Sequence, residues 1–431
     1  MAARRAEGAV PPGDSGVGDK GGELVIATIL RQDGGTGVHT HVRRLREYLA
    51  DEGIQTTLIT PWSGEPLLSG AVFAVRLGLE PMSGSASVMW YRHWHERFLR
   101  RGLRRHLARL GEAVIYAQGP LEARAALAAR RGPHQRVVMA VHFHTSQADE
   151  WVAKGYIKAD KTVFRAIRRL ERSVIPRVDG LVFVSKSARD ALLSWLPEAR
   201  FVHSAVIPNF VEVGETSCPP EGLGDLVTVG GLEIAKNQKF LIEVLAEAKS
   251  LGRTLTLDLY GEGPCRKELA RRATALGVED QVRFRGFVAN VCDLLPGYRV
   301  YVHASLCETG PMAIIEAMAA GLPILAGAVG GIPELYKAGI EGRFWPLDDP
   351  AEAAAILIDL LDSESTRKDA GTASLVRHRS SYDSSILVPQ LWSFLMECAS
   401  PDGVTGRAGS ETSFYPQNPS SSTSARAPGS S

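Results

Sequence analysis

The chain alternates short apolar runs of strand character with longer helical runs, and this alternation starts a second time about halfway along the sequence. The first series predicts strands at residues 23–30, 56–60, 114–117, 136–142, 181–185 and 201–207, with a helix at 37–51. A strand followed by a helix and another strand predicts parallel pairing, with helices on both faces of the sheet. The fold class indicated is therefore α/β.

A second series of the same kind predicts a second sheet. Its strands are expected at 226–229, 254–260, 282–284, 300–303 and 324–326, and its helices at 238–250, 266–276, 311–320 and 351–361. Pro219, Pro220 and several glycines mark residues 212–224 as a linker between domains at 23–211 and 225–380. A last helix at 381–399 is expected to return towards the first domain, and residues 1–22 and 400–431 are expected to be disordered tails.

Composition removes several classes of function. With 49 basic and 48 acidic side chains the net charge is +1, so no overall field would recruit nucleic acid. Five scattered cysteines without metal-type spacing, and an N-terminus without an apolar leader, favour a cytoplasmic location. The longest apolar stretch, near residues 67–79, is interrupted by Ser69, Gly70 and Arg76 and is too short to span a bilayer.

Two glutamates, Glu308 and Glu316, stand eight residues apart across a helix start. Thr309 is a candidate N-cap, Pro311 suits the first turn, and Gly321 suits the end of the helix. Backbone N–H groups at 310–313, together with the helix dipole, would hold a diphosphate, and the two carboxylates would bind sugar hydroxyls. For an isolated glutamate pair, a capped surface helix is the alternative.

Three further loops follow predicted strand ends, where parallel sheets bind their ligands. The loop after the first strand contains Gly34, Gly35 and Gly37, which would let a backbone approach a phosphate or a sugar closely. The second domain opens with a loop that contains Gly230 and places Lys236 before a helix, and a third loop turns at Gly261. Each loop alone is equally typical of a tight turn, and a lysine is most often solvated.

In this order the loops resemble retaining glycosyltransferases of the GT-B fold, in the E-x7-E group known as family 4, group 1 type. The resemblance spans residues 23–375 and implies two Rossmann-like domains whose parallel sheets face each other across a cleft. The matching residues include Gly34-Gly35, Val184-Ser185, Pro208-Asn209, Val229-Gly230, Lys236-Asn237, Gly261 to Pro264, Gly286-Phe287, Ser305, Glu308 to Glu316, Gly321 and Val329 to Glu334.

The resemblance implies transfer of a hexose-type sugar from a UDP- or GDP-linked donor to a hydroxyl acceptor, without a metal or other cofactor. The first domain would bind the acceptor and the second the donor. Glu316 would bind the ribose, Glu308 would lie near the transferred sugar, and Lys236 would hold the diphosphate. The implied donor-binding residues are Gly34, Gly35, Gly37, Gly230, Gly261, Phe287, Thr309, Gly310, Pro311, Met312 and Glu316, and the implied catalytic residues are His142, Lys236 and Glu308.

One departure from the family pattern affects the anion site. The family usually carries Gly-Arg where this chain has Gly230-Gly231, so one of two cations expected on the diphosphate is absent. A protein that binds nucleotide sugars without turning them over, on the same scaffold, therefore remains an alternative to an enzyme.

Histidines occur in three H-x-H pairs, at positions 39 and 41, 93 and 95, and 142 and 144. Alternate residues of a strand share one face, so His142 and His144 could together ligate zinc, and a metal-dependent hydrolase is a second alternative. The resemblance instead places a single histidine at this strand end, near the transferred sugar. His142 is the candidate, with His144 in reserve, and a core histidine without a role is also open.

Residues 97–109 contain six arginines and predict an amphipathic helix. Such a helix could contact anionic lipid peripherally, at the inner face of a membrane, although its apolar stripe has the width of an ordinary buried helix. Residues 165–172 show the same pattern. Residues 61–94, which include Trp62, Trp90, Tyr91 and Trp94, match no motif; their aromatic rings suit either acceptor binding or core packing.

Overall fold

The computed structural model describes residues 23–31, 34–79, 84–155, 157–159, 161–212, 222–400 and 411–413. The predicted tails, apart from Ser400 and residues 411–413, lie outside the described residues. Most of the predicted linker, residues 213–221, does so as well.

The first half of the chain forms an all-parallel sheet, to which Glu411–Ser413 from the far end of the chain add an edge strand. In sheet order it consists of Glu411–Ser413, β6, β5, β4, β3, β1 and β2. Its interior strands are buried over their whole length because helices cover both faces, which is why they read as continuous Val, Ile and Ala runs. The strand bounds are β1 Glu23–Ala27, β2 Thr56–Ile59, β3 Ala113–Ala117, β4 Gln135–Val141, β5 Gly180–Phe183 and β6 Ser204–Val206.

The helices of this half cover the sheet on its two faces. Most are amphipathic and bury one stripe of apolar side chains. Their bounds are α1 Gly37–Asp51, α2 Pro66–Leu79, α3 Gly84–Leu107, α4 Pro120–Ala129, α5 Gln147–Ala153, α6 Thr162–Val174 and α7 Lys186–Trp195.

The second half forms another all-parallel sheet, in the order β12, β11, β10, β7, β8, β9. The strands are β7 Gly224–Val229, β8 Leu257–Tyr260, β9 Val282–Gly286, β10 Tyr298–His303, β11 Ile324–Ala326 and β12 Gly342–Phe344. The helices are α8 Gln238–Ser250, α9 Arg266–Ala275, α10 Met312–Ala319, α11 Ile332–Leu335, α12 Pro350–Asp362, α13 Glu364–Ser381 and α14 Ser384–Ala399.

Both sheets reverse their strand order once, and each reversal marks a ligand crevice. In the first sheet the chain steps outwards in both directions from the β1–β3 pair, and in the second from the β7–β10 pair. Open parallel sheets bind ligands beyond the carboxyl ends of strands at such a switch point. The α/β prediction with two parallel sheets is confirmed.

Several elements differ from the sequence prediction: the strand expected at 23–30 ends at Ala27, the strand expected at 254–260 begins at Leu257, and β12 was not predicted. The strand expected at 201–207 covers only Ser204–Val206, because Pro197 begins a 3-10 turn that extends to Phe201 and Arg200 lies over the Phe201 ring. Helix α13 was not predicted because most of its exposed side chains are polar and because small residues, such as Gly371 and Ser374, form part of its buried face.

The arginine-rich stretch 97–109 forms the end of α3. Its apolar side chains, including Leu99 and Leu103, are buried, and the helix packs against α4. Arg104 donates to the Ala128 carbonyl, and Arg101 and Arg105 both pair with Glu65. Among the described residues, no helix is long and apolar enough to cross a membrane.

Within the described residues, hydrogen bonds join the two halves at several points, including three contacts made by side chains and one from the Val211 N–H to the Tyr382 carbonyl at 3.1 Å. The Glu334 carboxylate of α11 accepts the backbone N–H groups of Lys186 and Ser187, at 2.8 and 2.7 Å, and so caps the start of α7. Asn209 Nδ2 donates to the Gly310 carbonyl at 2.7 Å. The third contact, made by Thr309, lies in the candidate site. Helix α14 also packs against α1, β3 and β4 of the first half.

Candidate active site

The loop before α10 lies between the two sheets. The helix begins at Met312 with Pro311 as its N-cap, so the prediction that Thr309 caps it is wrong. The reason is that Thr309 Oγ1 donates instead to the His142 carbonyl across the cleft, at 3.0 Å. At the other end Gly321 adopts a φ of 71°, which ends the helix as predicted.

This loop offers backbone donors to an anion. Pro311 has no N–H, so the predicted run of donors at 310–313 is reduced to Gly310, Met312 and Ala313. Within the described part of the chain, no protein acceptor bonds to these three N–H groups. The start of α10 therefore has the donors and the dipole of an anion site.

Lys236, Glu308 and His303 meet beside the same loop. Lys236 Nζ lies 2.5 Å from Glu308 Oε1, and His303 Nε2 lies 3.0 Å from the same oxygen. Burial would raise the pKa of the Glu308 carboxyl, but Lys236 and His303 outweigh it and hold the pKa well below its usual range. Glu308 is therefore ionised at neutral pH, and one cation stands next to the anion site.

Glu316 occupies a separate position. It is half-buried one turn into α10, and its carboxylate accepts from the Cys292 thiol. Burial raises the pKa of Glu316, while this hydrogen bond and the charges of Arg44 and Arg43 on α1 lower it in part. Among the described residues, Glu308 and Glu316 thus have no hydrogen-bond partner in common, and they lie in different surroundings.

Backbone conformation and close backbone packing explain why glycine occupies two of the candidate positions in the second half. Gly230 and Gly261 have φ values of 154° and 134°, and a Cβ at Gly261 would lie 2.0 Å from the Gly230 carbonyl oxygen. A similar approach supports the loop before α10, because a Cβ at Gly330 would lie 1.9 Å from the Glu308 carbonyl oxygen. These glycines allow the loops to stack at the carboxyl end of the sheet.

The glycine loop of the first half reaches the second half. A Cβ at Gly35 would lie 2.1 Å from the Phe287 ring, and one at Gly37 would lie 3.2 Å from Met312 Cγ. At Gly34 the near neighbour is the His39 ring, in the first turn of α1. The structure therefore brings Gly35 and Gly37 to the candidate donor residues, and Gly34 lies beside them in sequence.

Gly231, the position where the family carries arginine, has an acidic neighbour. A Cβ placed there would have Glu233 as its nearest side chain, with Cδ 3.5 Å away. Gln238 Nε2 donates to the Gly231 carbonyl at 2.8 Å. Gly231 thus contributes only backbone atoms here, and its nearest side chain is a carboxylate and not a second cation.

His142 directly follows strand β4, and its carbonyl is the one that accepts the hydrogen bond from Thr309 across the two halves. Its Nε2 lies 3.0 Å from Gln118 Oε1, and its ring meets that of His41 edge-on at 5.2 Å between centroids. Burial lowers the pKa of His142 to about 4, and burial together with the neighbouring His142 lowers the pKa of His41 to about 3. Both rings are therefore neutral at physiological pH.

The H-x-H pairs do not form shared ligand sets. His144 Nε2 bonds to Ser187 Oγ at 3.0 Å, whereas His142 bonds to Gln118. His39 Nδ1 bonds to Thr36 at the start of α1. No group of three or more His, Cys, Asp or Glu side chains within the described ranges could hold a metal ion.

A small polar cradle lies next to His142. A Cβ at Gly119 would lie 3.0 Å from Glu122 Oε2 and 3.8 Å from Gln147 Nε2. Glu122 Oε2, Gln118 Nε2 and Arg92 Nη2 are buried and have no hydrogen-bond partner in the part of the chain that the structure describes. Buried polar atoms are normally paired, so these three indicate a position where a ligand or water bonds.

Sequence reasoning missed several of these residues. His303 ends strand β10 and Gln118 follows strand β3, so their position at the carboxyl edge was the available signal. Neither belongs to a recognisable motif, whereas Asn209 was matched to the family pattern without a role. Glu334 was matched to the family pattern without a role, and the structure shows it bridging the two halves.

Comparison with known proteins agrees with this architecture. The family model for glycosyl transferases group 1 matches residues 218–375, and the model for glycosyltransferase family 4 matches residues 35–215. The HepE protein of Anabaena, solved with UDP-glucose, superimposes with a TM-score of 0.63 at 18% identity, covering 87% of this chain and 99% of HepE. Sucrose-phosphate synthase of Thermosynechococcus elongatus gives a TM-score of 0.63 at 16% identity, covering 86% and 98%.

Curated relatives extend the comparison. The D-inositol 3-phosphate glycosyltransferase of Streptomyces coelicolor is 38% identical over 125 residues, which are 28% of this chain and 27% of that protein. The chain thus matches about a quarter of that relative's length. The phosphatidyl-myo-inositol mannosyltransferase of Mycobacterium leprae is 26% identical over 369 residues, 82% of this chain and 91% of the relative.

The two family models lie on the two halves of the chain, and the fold matches GT-B glycosyltransferases over nearly its whole described length. The chain therefore belongs to the glycosyltransferases of the group 1 and family 4 type.

The lowered pKa of His142 predicts a pH dependence of stability. As pH falls, His142 takes up its proton in the unfolded chain before it does so in the folded one. The contribution of His142 to the free energy of unfolding is therefore fully present above about pH 6.5 and is lost as pH falls towards 4. His142→Gln should make the slope of unfolding free energy against pH shallower in this window, by up to roughly 1.4 kcal/mol per pH unit. Urea unfolding at a series of pH values measures it, and an unchanged slope would contradict a buried neutral His142.

Proposed function

We propose that the protein is a retaining glycosyltransferase that moves a hexose-type sugar from a nucleoside diphosphate to a hydroxyl acceptor. The second half, residues 225–380, would bind the donor and the first half, residues 23–211, the acceptor. One observation carries the proposal: Lys236 lies within 2.5 Å of the buried Glu308 carboxylate, beside the open N–H groups at the start of α10. A cation and a helix N-terminus on one side of a cleft suit a diphosphate leaving group.

The electrostatics favour the transition state over the ground state. As the bond to the sugar breaks, negative charge grows on the diphosphate, and Lys236 with the N–H groups of Gly310 and Met312 stabilises that charge. Glu308 is held ionised, so it would position the donor sugar and stabilise positive charge at the anomeric carbon. The leaving phosphate would accept the acceptor proton on the same face, so the protein needs neither a nucleophile nor a metal.

The nucleoside would lie towards Glu316. The half-buried Glu316 carboxylate, one turn into α10, suits the two ribose hydroxyls. The HepE structure contains UDP-glucose, and the name of a Mycolicibacterium smegmatis relative, 30% identical over 239 residues, specifies GDP-mannose. Both support a nucleoside diphosphate hexose and leave UDP and GDP as the candidates.

The acceptor would enter over His142 and the cradle at Gly119. Unpartnered donors on Gln118 and Arg92 and an unpartnered acceptor on Glu122 can all bond to hydroxyl groups. The names of two relatives contain inositol 3-phosphate and phosphatidyl-myo-inositol, and inositol is a polyol. This chemistry supports an acceptor with several hydroxyl groups.

A second candidate is a protein that binds nucleotide sugars without transferring them. The observation that favours it is Gly231, which has Glu233 and not a cation as its neighbour. Nucleotide binding without release of sugar, in the presence of a panel of polyol acceptors, would support this alternative.

Lys236 provides the direct test of the donor site. Lys236→Met should lower the transfer rate about a hundredfold, because a charge contact realised in the transition state is lost. Lys239→Met is the matched control, since Lys239 lies exposed on α8 and pairs only at 3.7 Å with Glu243. Release of nucleoside diphosphate measures both rates.

The control variant should keep wild-type turnover. If Lys236→Met turned over every nucleotide sugar as fast as Lys239→Met, the assignment of Lys236 to the diphosphate would be refuted.

Gly119→Ala tests the acceptor side. The added methyl group would fill the cradle between Glu122 and Gln147, so acceptor KM should rise about tenfold or more while the donor Kd stays unchanged. Gly111→Ala is the control, because a Cβ there has open space around it. A raised donor Kd with an unchanged acceptor KM would contradict the placement of the acceptor.

A further inference from the structure

Glu308 holds both of its protein partners on one oxygen. Lys236 Nζ lies 2.5 Å from Oε1, and His303 Nε2 lies 3.0 Å from the same atom. Among the described residues, no protein group bonds to Oε2, the other oxygen of this carboxylate. A carboxylate accepts through both of its oxygens, so Oε2 is the atom left for a ligand hydroxyl.

The two partners of Glu308 are anchored differently. His303 is 3% exposed, and its carbonyl accepts from Trp345 Nε1 at 3.1 Å and from the Gly327 N–H at 3.4 Å. Lys236 ends a short 3-10 turn, and its side chain is 30% exposed. His303 is therefore the fixed partner of the carboxylate, whereas Lys236 carries its ammonium group on a flexible stem.

The neighbours of His303 determine which ring nitrogen carries the proton. The ionised Glu308 carboxylate can only accept, so His303 Nε2 is the donor. His303 Nδ1 lies 3.4 Å from the Tyr301 hydroxyl, and the two rings stack at 6.1 Å between centroids. Burial raises the pKa of the Tyr301 hydroxyl, so this group keeps its proton and can donate to Nδ1. The hydrogen bonds thus run in one direction, from Tyr301 through His303 to Glu308.

We propose that His303 is a positioning residue, which holds Glu308 with Oε2 free for a hydroxyl of the transferred sugar while Lys236 binds the diphosphate. This role rests on the proposed donor site. When the Lys236 ammonium group turns to a diphosphate, the His303 N–H keeps Oε1 bonded, and the carboxylate stays ionised and in place. A buried carboxylate without a partner would take up a proton or rotate, and would no longer accept from the sugar through a fixed oxygen.

The other titratable groups around this carboxylate do not replace the histidine. Partial burial and the charge of Glu308 raise the pKa of the Cys307 thiol, which is the next residue in the loop. Asp149 and Glu150 on α5 also act on this thiol and bring only negative charge. Among the described residues, His303 is therefore the donor that can hold Glu308 when the lysine is engaged elsewhere.

Substitution of His303 in the full chain tests this role with UDP-glucose and GDP-mannose as donors. His303→Leu should lower kcat/KM about tenfold or more, because the donor to Oε1 is lost. The Kd of free UDP or GDP should stay unchanged, since these ligands lack the sugar. His303→Gln keeps an N–H donor near Oε1 and should recover most of the loss. Release of nucleoside diphosphate measures turnover, and titration calorimetry measures binding.

His134→Leu is the matched control. The same change of side chain is made there on an exposed histidine in the loop before β4, so turnover should stay at the wild-type value.

The acid side of the pH profile separates positioning from packing. Lys236 and His303 hold the pKa of Glu308 low, so loss of His303 raises this pKa. In His303→Leu, kcat should therefore fall at a higher pH than in the wild-type chain as pH is lowered, whereas a packing defect lowers kcat equally at every pH. Tyr301→Phe should move the acid limb in the same direction by less, because both partners of Glu308 remain.

Failure of this role and failure of the donor site give different results. No binding of UDP, GDP or their sugars by the wild-type chain would refute both. Wild-type turnover together with an equal loss in His303→Leu and His303→Gln, or with no loss in either, would overturn the role of His303 alone. Circular dichroism checks that the variants fold. If His303→Leu does not fold, Tyr301→Phe decides, and an acid limb identical to that of the wild-type chain would overturn the role.

Discussion

The buried ion pair between Lys236 and Glu308, joined by His303, is the interaction on which the proposed site depends. A carboxylate with so little exposure is costly unless it is paired and hydrogen-bonded, and here one oxygen receives both partners. The three residues come from the turn after β7, the end of β10 and the loop before α10. The pair therefore fixes three loops around one point and leaves the lysine beside the start of α10.

The loop before α10 also joins the two halves. Thr309 donates to the His142 carbonyl and the Gly310 carbonyl accepts from Asn209, so the backbone at the anion site is tied to the first half. The proposed donor and acceptor sides are consequently connected through this loop.

Periodicity in the sequence was enough to predict two parallel sheets, because buried strands of such sheets are continuous apolar runs, and helices α1 and α8 have the predicted bounds. It was not enough for contacts between distant residues. The cap at Pro311 could not be foreseen, since Thr309 is drawn to a carbonyl 167 positions away. His303 was missed for the same reason: only the folded chain shows that its ring meets the Glu308 carboxylate.

Nucleotide binding tests the central claim, that the Lys236 site and the start of α10 hold a diphosphate. Thermal or chemical unfolding of the full chain would be followed with UDP, GDP and ADP, and with their sugars. At a hundred times its Kd, the correct nucleotide should add about 2.7 kcal/mol of stability, and Lys236→Met should lose most of this gain. No stabilisation of the wild-type chain by any of these ligands would contradict the account.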